Sequence, residues 1–228
     1  MKHAPTLALL PILALLTACG QGARGAGEPG ASRPAESPAA VGASGPLVAF
    51  LGDSLTAGLG LDEGQAYPAL VGERLARSGE PIRVLNAGVS GDTTAGGLRR
   101  LPWLLSQHPA AIVVELGAND GLRGTPIEEI EGSLRQIVRR AQAAGARVLI
   151  VGMRIPPNYG PDYTGRFAAI YPRLARELDV PLVPFLLEGV GGDPALNQAD
   201  GIHPTARGQE LVADNVVPYL RRLLTRVP

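Results

Sequence analysis

Five short apolar segments, each separated from the next by a stretch with helical spacing, constrain the fold of this chain more than any other feature. They are rich in Val, Ile and Leu and cover residues 46–52, 82–88, 111–117, 146–153 and 181–185. None alternates strictly between polar and apolar residues, so we expect helices to cover both faces of the sheet. The order of segments therefore predicts an α/β fold, a three-layer α/β/α sandwich around a five-stranded parallel sheet.

The intervening stretches have the periodicity of helices. They cover residues 66–79, 97–107, 125–145, 167–179 and 205–226. The clearest is 125–145, whose apolar residues form a single stripe. Thr125 and Glu128 have the spacing of a capping box, with Pro126 at the first helical position. Gly145 is typical of a helix end.

The first 46 residues differ in composition from the rest of the chain. An apolar run ends in Leu-Thr-Ala-Cys19 and is too short for a membrane span. This sequence resembles the lipobox of bacterial lipoproteins, which implies a signal peptide over 1–18 and a lipid on Cys19. An ordinary signal peptide is the alternative. Residues 19–46 would then form a lipidated flexible tether, rich in Gly, Ala, Pro and Ser, and 47–228 a single domain.

The charged residues exclude several kinds of chemistry. Lys2 is the only lysine, so a P-loop, a lysine Schiff base and a Ser-Lys dyad are excluded from the predicted domain. That domain has only two histidines, His108 and His203, and a histidine-rich zinc site is not expected. The formal net charge is zero, which gives no indication of nucleic-acid binding. We expect neither a metal nor an organic cofactor.

Polar residues follow the predicted strands where each one ends. Gly52-Asp53-Ser54 follows the first strand, NAGVSGD at 86–92 ends the second, GAND at 117–120 follows the third, and DGIH at 200–203 comes after the fifth. Because the carboxyl ends of parallel strands meet at one edge of a sheet, these loops bring a serine, glycine amides, an asparagine, an aspartate and a histidine together. These are the groups that acyl transfer requires.

In this order, the motifs resemble those of the SGNH, or GDSL, hydrolase superfamily. The segments LNAG, SGDT, NDGLRG, PNYG and DGIHP are similar to the bacterial thioesterase I, lysophospholipase and arylesterase group, and the resemblance covers residues 47 to about 224. It implies a flavodoxin-like topology and a serine esterase that acts on short- to medium-chain acyl esters, lysophospholipids or thioesters through an acyl-enzyme. One departure is Ala118, where many relatives have a second glycine.

The resemblance and the strand order together assign catalytic roles. Ser54 is the predicted nucleophile, His203 the general base and Asp200 the residue that orients the histidine. The N–H groups of Ser54 and Gly88 and the side-chain amide of Asn119 are predicted to form the oxyanion hole. Taken singly, each residue has an ordinary structural interpretation as a helix cap or a turn residue. Their combination favours catalysis.

Other polar residues are assigned no catalytic role. Ser90 is a rival nucleophile, but the G-x-S-x-G elbow of α/β-hydrolases is absent at both Ser54 and Ser90. His108 precedes a proline at a predicted helix end, on the opposite edge of the sheet. Asp53 and Asp120 flank the predicted site, and we expect them to form structural hydrogen bonds.

Apolar residues in the same loops predict a groove for an acyl chain. They are Leu55, Leu122, Ile155, Pro156 and Tyr159, and ordinary loop packing is the alternative interpretation for each. An exported enzyme would rarely meet acyl-CoA, so an ester is favoured over a thioester as the natural substrate. We expect a monomer in the cell envelope, held at the membrane by Cys19 and facing the periplasm.

Three other functions are compatible with parts of the sequence. A sugar or peptidoglycan O-acetyl esterase would share the fold, although an aromatic content of 4% disfavours a sugar-binding platform. A non-catalytic lipoprotein that binds acyl chains would not need the serine, aspartate and histidine together. A flavodoxin-like nucleotide binder would need a phosphate loop that the sequence lacks.

Overall fold

The computed structural model describes residues 44–225, so the predicted signal peptide, Cys19 and most of the predicted tether lie outside the described residues. The strands in this region are β1 (Leu47–Gly52), β2 (Arg83–Gly88), β3 (Ala111–Glu115), β4 (Arg147–Val151) and β5 (Leu182–Val183). The α-helices are α1 (Ser54–Ala57), α2 (Tyr67–Arg77), α3 (Thr94–Leu105), α4 (Ala118–Leu122), α5 (Ile127–Ala143), α6 (Pro161–Glu177) and α7 (Ala206–Thr225). Within 44–225, no helix is both long enough and apolar enough to cross a bilayer.

The five strands form one parallel sheet in the order β2-β1-β3-β4-β5. Helix α2 packs against α7, and α5 packs between α3 and α6. Strands β1, β3 and β4 are almost completely buried, as expected for apolar strands covered on both faces. The predicted sandwich and its flavodoxin-like topology are confirmed. The strand order reverses between β1 and β3, the position at which open α/β sheets bind ligands.

Buried aromatic residues attach the helices to the sheet just below its carboxyl edge. Phe50 of β1 meets Tyr67 of α2 edge to face, with ring centroids 5.7 Å apart. The Tyr67 hydroxyl lies 3.0 Å from Thr56 Oγ1, and the Tyr171 hydroxyl of α6 donates to the carbonyl of Leu116 at 3.0 Å. These contacts satisfy buried hydroxyls while fixing α2 and α6 beside the segments that follow β1 and β3.

Several element boundaries differ from the sequence prediction. Helix α3 begins at Thr94 and not at residue 97, because the Thr93 hydroxyl caps it by accepting from the N–H of Gly96 at 3.1 Å. Helix α6 begins at Pro161 and not at residue 167, with the proline at the first helical position. Strand β5 is shorter than predicted, and the short helices α1 and α4 were not predicted.

The capping box predicted for Thr125 and Glu128 does not form. Pro126 occupies the N-cap position with ψ of 133°, and no side chain caps the helix. The N–H of Thr125 donates to the carbonyl of Asp120 at 3.0 Å, and its carbonyl accepts from the Tyr163 hydroxyl at 2.6 Å. Thr125 is therefore held in the loop before the helix.

Gly88 of β2 lies directly against the backbone of α1. A Cβ atom at Gly88 would come within 2.2 Å of the backbone nitrogen of Ala57. We expect Gly88→Ala to lower the free energy of unfolding by about 1–3 kcal/mol, because the helix or the strand must shift. Urea denaturation measures the change.

Gly132, inside α5, provides a matched control for this substitution. A Cβ there would meet nothing within 4 Å, so Gly132→Ala should raise the free energy of unfolding by about 0.5–1 kcal/mol. A Gly88→Ala protein as stable as the wild type would contradict the close approach.

Candidate active site

Ser54 and His203 meet at the carboxyl edge of the sheet, although 149 positions separate them in the chain. Ser54 is the first residue of α1, directly after β1. His203 Nε2 lies 2.9 Å from Ser54 Oγ, and His203 Nδ1 lies 2.7 Å from Asp200 Oδ2. The structure thus brings the three predicted side chains into the hydrogen-bonded series of hydroxyl, imidazole and carboxylate that nucleophilic catalysis requires.

Hydrogen bonds keep Asp200 ionised. The backbone N–H of His203, the His203 ring and the backbone N–H of Ile202 lower the pKa of the Asp200 carboxyl group. The two N–H groups donate to Asp200 Oδ1 at 3.0 and 2.9 Å, which leaves Oδ2 for the ring. An ionised Asp200 favours the His203 tautomer with its proton on Nδ1, so Nε2 faces the Ser54 hydroxyl as an acceptor.

Asp53, and not Ser54, caps helix α1. Asp53 Oδ1 accepts from the N–H of Leu55 at 3.0 Å, and Oδ2 accepts from Asn119 Nδ2 at 3.0 Å. The cap interpretation of Ser54 is therefore wrong, and its hydroxyl is available to His203. Asp53 also joins the loop after β1 to the loop after β3.

A second carboxyl group lies beneath the nucleophile. Glu115, at the end of β3, is fully buried, and its Oε2 accepts from Thr56 Oγ1 at 2.7 Å and from the N–H of Asp53 at 3.3 Å. Burial and the neighbouring Asp53 raise the pKa of Glu115, and burial raises the pKa of Asp53 to about 6. Burial thus disfavours ionisation of both carboxyl groups, and the charge of Asp53 disfavours ionisation of Glu115 further. The sequence signal for Glu115 is a single acidic residue inside an apolar strand.

Gly88 is not placed to serve the oxyanion hole. Its single N–H donates to Asn86 Oδ1 at 2.9 Å, and the strand register aligns Gly88 with Gly52, two residues before Ser54. The prediction for Gly88 is contradicted, because its donor is already used. The N–H of Ser54 and the side-chain amide of Asn119 remain suitable as oxyanion-hole donors. In residues 44–225 the N–H of Ser54 has no acceptor, and Asn119 uses one of its two amide hydrogens on Asp53.

The turn after β2 offers a different N–H group. Asp92 N–H donates to the carbonyl of Val89 at 3.0 Å, and Gly91, the third residue of this turn, has φ of 77°. A positive φ at this position favours glycine. The turn bond uses the N–H of Asp92, and within the described region the N–H of Gly91 has no acceptor. The sequence signal for this residue lay in the SGDT segment.

Arg100 of α3 fixes this turn relative to the nucleophile. Its guanidinium donates to the carbonyl of Gly52 at 2.8 Å and to that of Ala87, and it pairs with Asp92 at 2.7 Å. The ends of β1 and β2 and the turn that carries Gly91 are therefore held by one side chain. Sequence reasoning did not identify Arg100, because a helical arginine gives no sign of what it contacts.

An apolar groove of about 380 Å³ opens beside the Ser54–His203 pair. Four of the predicted residues line it, namely Leu55, Leu122, Ile155 and Pro156. Tyr159 does not, because its hydroxyl donates to the carbonyl of Leu122 at 2.8 Å and supports that loop. Further lining residues come from the loops after β4 and β5 and from the loop that carries His203. The side chains not predicted include Met153, Arg154, Phe185, Leu187 and Ile202.

The remaining polar residues lie apart from this chemistry. His108 is exposed between α3 and β3, at the amino edge of the sheet. Ser90 is exposed in the turn after β2, and His203 bonds to Ser54 instead. Asp120 accepts from the N–H and the hydroxyl of Thr94, both at 2.8 Å, and so connects α4 to the start of α3.

The fold and this site define a serine hydrolase with an apolar groove. The chain belongs to the GDSL-like Lipase/Acylhydrolase family, whose sequence profile matches residues 50–211. It is 49% identical over 175 residues to Esterase TesA of Pseudomonas aeruginosa, covering 76% of this chain and 87% of that protein. It is 46% identical over 176 residues to Thioesterase 1/protease 1/lysophospholipase L1 of Escherichia coli, covering 77% and 83%.

Solved structures agree with the sequence relatives. The crystal structure of TesA superposes with a TM-score of 0.75 at 48% identity, covering 78% of this chain and 99% of that one. The esterase EstA from Pseudoalteromonas gives a TM-score of 0.76 at 33% identity, covering 80% and 100%. These relatives confirm the resemblance drawn from the motifs, and the chain is an SGNH esterase that hydrolyses acyl esters.

The charge of Asp53 makes a testable contribution to stability. Because its pKa in the fold is about 6, above its ordinary value of 3.8, the folded protein binds a proton between these values that the unfolded chain does not. This group therefore stabilises the fold increasingly as the pH falls through that range. Asn caps a helix as well as Asp but does not titrate.

We expect the free energy of unfolding of the wild type, minus that of Asp53→Asn, to rise as the pH is lowered from about 7 to about 4.5. Denaturant titrations of both proteins at each pH measure it. A difference that does not vary with pH would contradict the raised pKa of Asp53.

Proposed function

We propose that the chain is a serine esterase in which Ser54 is the nucleophile, His203 the general base and Asp200 the residue that holds His203. One observation carries this proposal, the pair of hydrogen bonds of 2.9 Å from His203 to Ser54 and 2.7 Å from His203 to Asp200. No other serine of the described region bonds to a histidine ring in this way.

In the first half-reaction, Ser54 Oγ attacks the carbonyl carbon of the ester while His203 Nε2 takes the hydroxyl proton. The tetrahedral intermediate then expels the alcohol, which leaves with that proton, and the acyl group stays on Ser54. In the second half, His203 takes a proton from water, the hydroxide attacks the acyl-enzyme, and the proton returns to Ser54 as the acid leaves. Asp200 remains ionised and stabilises the imidazolium.

The oxyanion of each tetrahedral intermediate is proposed to accept from the N–H of Ser54, the N–H of Gly91 and the free amide hydrogen of Asn119. Gly91 replaces Gly88 in this assignment, since the N–H of Gly88 is used by Asn86. The Arg100 contacts and the bond between Asp53 and Asn119 hold these donors in place before substrate binds. Such preorganised donors stabilise charge that develops in the transition state.

The substrate is proposed to be a short- to medium-chain acyl ester or a lysophospholipid, with thioesters as a further class. The residues that line the groove include Leu55 and Ile202, the chain neighbours of Ser54 and His203, together with Phe185. Phe185 follows β5, three strands from β1, and three strand spacings amount to about 14 Å. The alternative sugar O-acetyl esterase is less well supported, because in the described part of the chain Phe185 is the only aromatic residue that lines the groove.

We also propose that the enzyme is exported and anchored in the cell envelope by a lipid on Cys19. The support is the Leu-Thr-Ala-Cys sequence at 16–19 and the Gly- and Pro-rich segment that follows it. The corresponding organisation is a signal peptide over 1–18, a lipidated tether over 19–46 and a monomeric hydrolase domain over 47–228.

The nucleophile is tested with p-nitrophenyl esters from acetate to palmitate and the full-length protein. We expect kcat/KM to peak at an intermediate chain length, and Ser54→Ala and His203→Ala to lower kcat by at least about 10³-fold. Ser90→Ala is the matched control and should keep wild-type activity. Activity on acetate alone would favour the O-acetyl esterase. A Ser54→Ala protein that is still labelled by a fluorophosphonate would exclude Ser54 as the nucleophile.

The oxyanion hole is tested by Asn119→Ala. Loss of one donor to the oxyanion should lower kcat by about 10²–10³-fold, equivalent to about 3–4 kcal/mol, with little change in KM. Steady-state kinetics on the best p-nitrophenyl ester separate the two constants. An increase in KM with unchanged kcat would show that Asn119 acts in substrate binding and not on the transition state.

A further inference from the structure

We infer that Arg154 makes the groove selective for acyl esters whose chain carries an anionic group at its far end, an inference that rests on the proposed esterase function. Among residues 44–225, Arg154 is the only charged residue that lines the groove. In a mostly apolar pocket, the few polar groups determine specificity. A guanidinium binds a carboxylate through two parallel hydrogen bonds, which makes it the side chain best suited to an anionic end group.

The charge of Arg154 is not compensated by the protein. Arg154 is exposed, and it has no carboxylate partner among residues 44–225, whereas Arg100 at the same edge of the sheet pairs with Asp92. Its guanidinium lies over the ring of Phe185, 4.6 Å from the ring centroid. This cation–π contact places the guanidinium over the ring, and within residues 44–225 its N–H groups form no hydrogen bond, so they can donate to a ligand.

The strand order gives the approximate spacing between the segments that carry this charge and the nucleophile. Ser54 follows β1, Arg154 follows β4 and Phe185 follows β5, so two to three strand spacings separate the charge from Ser54. At about 4.8 Å a strand, this is roughly 10–14 Å. An extended alkyl chain advances about 1.3 Å per carbon, given C–C bonds of about 1.5 Å. A chain of roughly 8–11 carbons therefore places its far end at Arg154.

An anionic group could also come from the phosphate of a lysophospholipid headgroup. In that substrate roughly six bonds separate the ester carbonyl carbon from phosphorus, a reach of about 7 Å. This is shorter than the separation between Ser54 and the Arg154–Phe185 stack. The distance therefore favours a carboxylate at the end of the acyl chain over a phosphate in the leaving group.

The test compares two p-nitrophenyl esters of equal chain length on the full-length enzyme. One is the monoester of decanedioic acid, with a free carboxylate at the far end, and the other is the same ester with that carboxylate methylated. We expect wild-type kcat/KM to favour the carboxylate ester by about tenfold at low salt, mostly through KM. The preference should fall as NaCl is added, because the contact is exposed.

Variants of Arg154 are compared by this ratio, which normalises each protein to its own hydrolysis of the neutral ester. Arg154→Gln should reduce the ratio to about one, and Arg154→Lys should retain part of it, because a lysine keeps the charge but not the fork of donors. Arg176→Gln is the matched control. It removes an exposed arginine from the last turn of α6, which does not line the groove, and should leave the ratio unchanged.

The outcomes separate this inference from the proposed function. If Arg154→Gln keeps the wild-type ratio while both esters are hydrolysed and Ser54→Ala is inactive, the role of Arg154 is wrong and the esterase stands. If the wild type hydrolyses neither ester, both fail. A third comparison uses decanoylglycerol 3-phosphate and monodecanoylglycerol. If Arg154→Gln changes only the preference between these two, the arginine binds the leaving group and the assignment to the chain end is overturned.

Discussion

The carboxylate of Asp53 connects the two strand ends on which the reaction depends. One oxygen caps α1, which begins with Ser54, and the other holds the amide of Asn119 after β3. A buried charge is costly, and these two donors offset only part of that cost, because burial still raises the pKa of Asp53. Glu115 lies against the same turn, where burial and the charge of Asp53 raise the pKa of its carboxyl group. Position 52 has no room for a side chain, because a Cβ atom there would come 2.6 Å from Glu115 Oε2.

This arrangement explains how residues distant in sequence reach a common geometry. The change in strand order between β1 and β3 places Ser54 and Asn119 on adjacent strands. Arg100 connects the segment after β2 to the end of β1, because it binds both Asp92 and the Gly52 carbonyl. Unlike Ser54 and Asn119, His203 does not lie directly after a strand. Asp200 sets its orientation within a four-residue turn. The proposed nucleophile and oxyanion donors are therefore linked by hydrogen bonds, and the proposed base is positioned separately.

The sequence predicts the sheet and brings the proposed catalytic side chains to one edge because each prediction depends on local pattern. Apolar segments mark the strands, and the polar residues that follow them lie at one edge whatever the details of packing. Gly88 and Gly91 could not be distinguished in this way, because the choice depends on strand register and on the use of the Gly88 N–H by Asn86. The sequence places Tyr159 in a loop beside the groove but does not show where its side chain points. Its hydroxyl donates to the Leu122 carbonyl, a tertiary contact that leaves no local signal in the sequence.

Catalysis and specificity depend on different strands of the sheet. The proposed nucleophile and the proposed donors Gly91 and Asn119 follow β1, β2 and β3, whereas Arg154 and Phe185 follow β4 and β5. The contact between Arg154 and Phe185 is separate from the hydrogen bond between Ser54 and His203. Substitution in the outer loops can therefore change which acyl chain is bound without moving the nucleophile or its oxyanion donors. Because different loops bind the acyl chain and hold the proposed nucleophile, the same catalytic residues could hydrolyse esters of different chain length and end group. In the proposed arrangement, Arg154 acts on binding of the acyl chain, and the hydrogen bonds around Asp53 act on the rate of the chemical step.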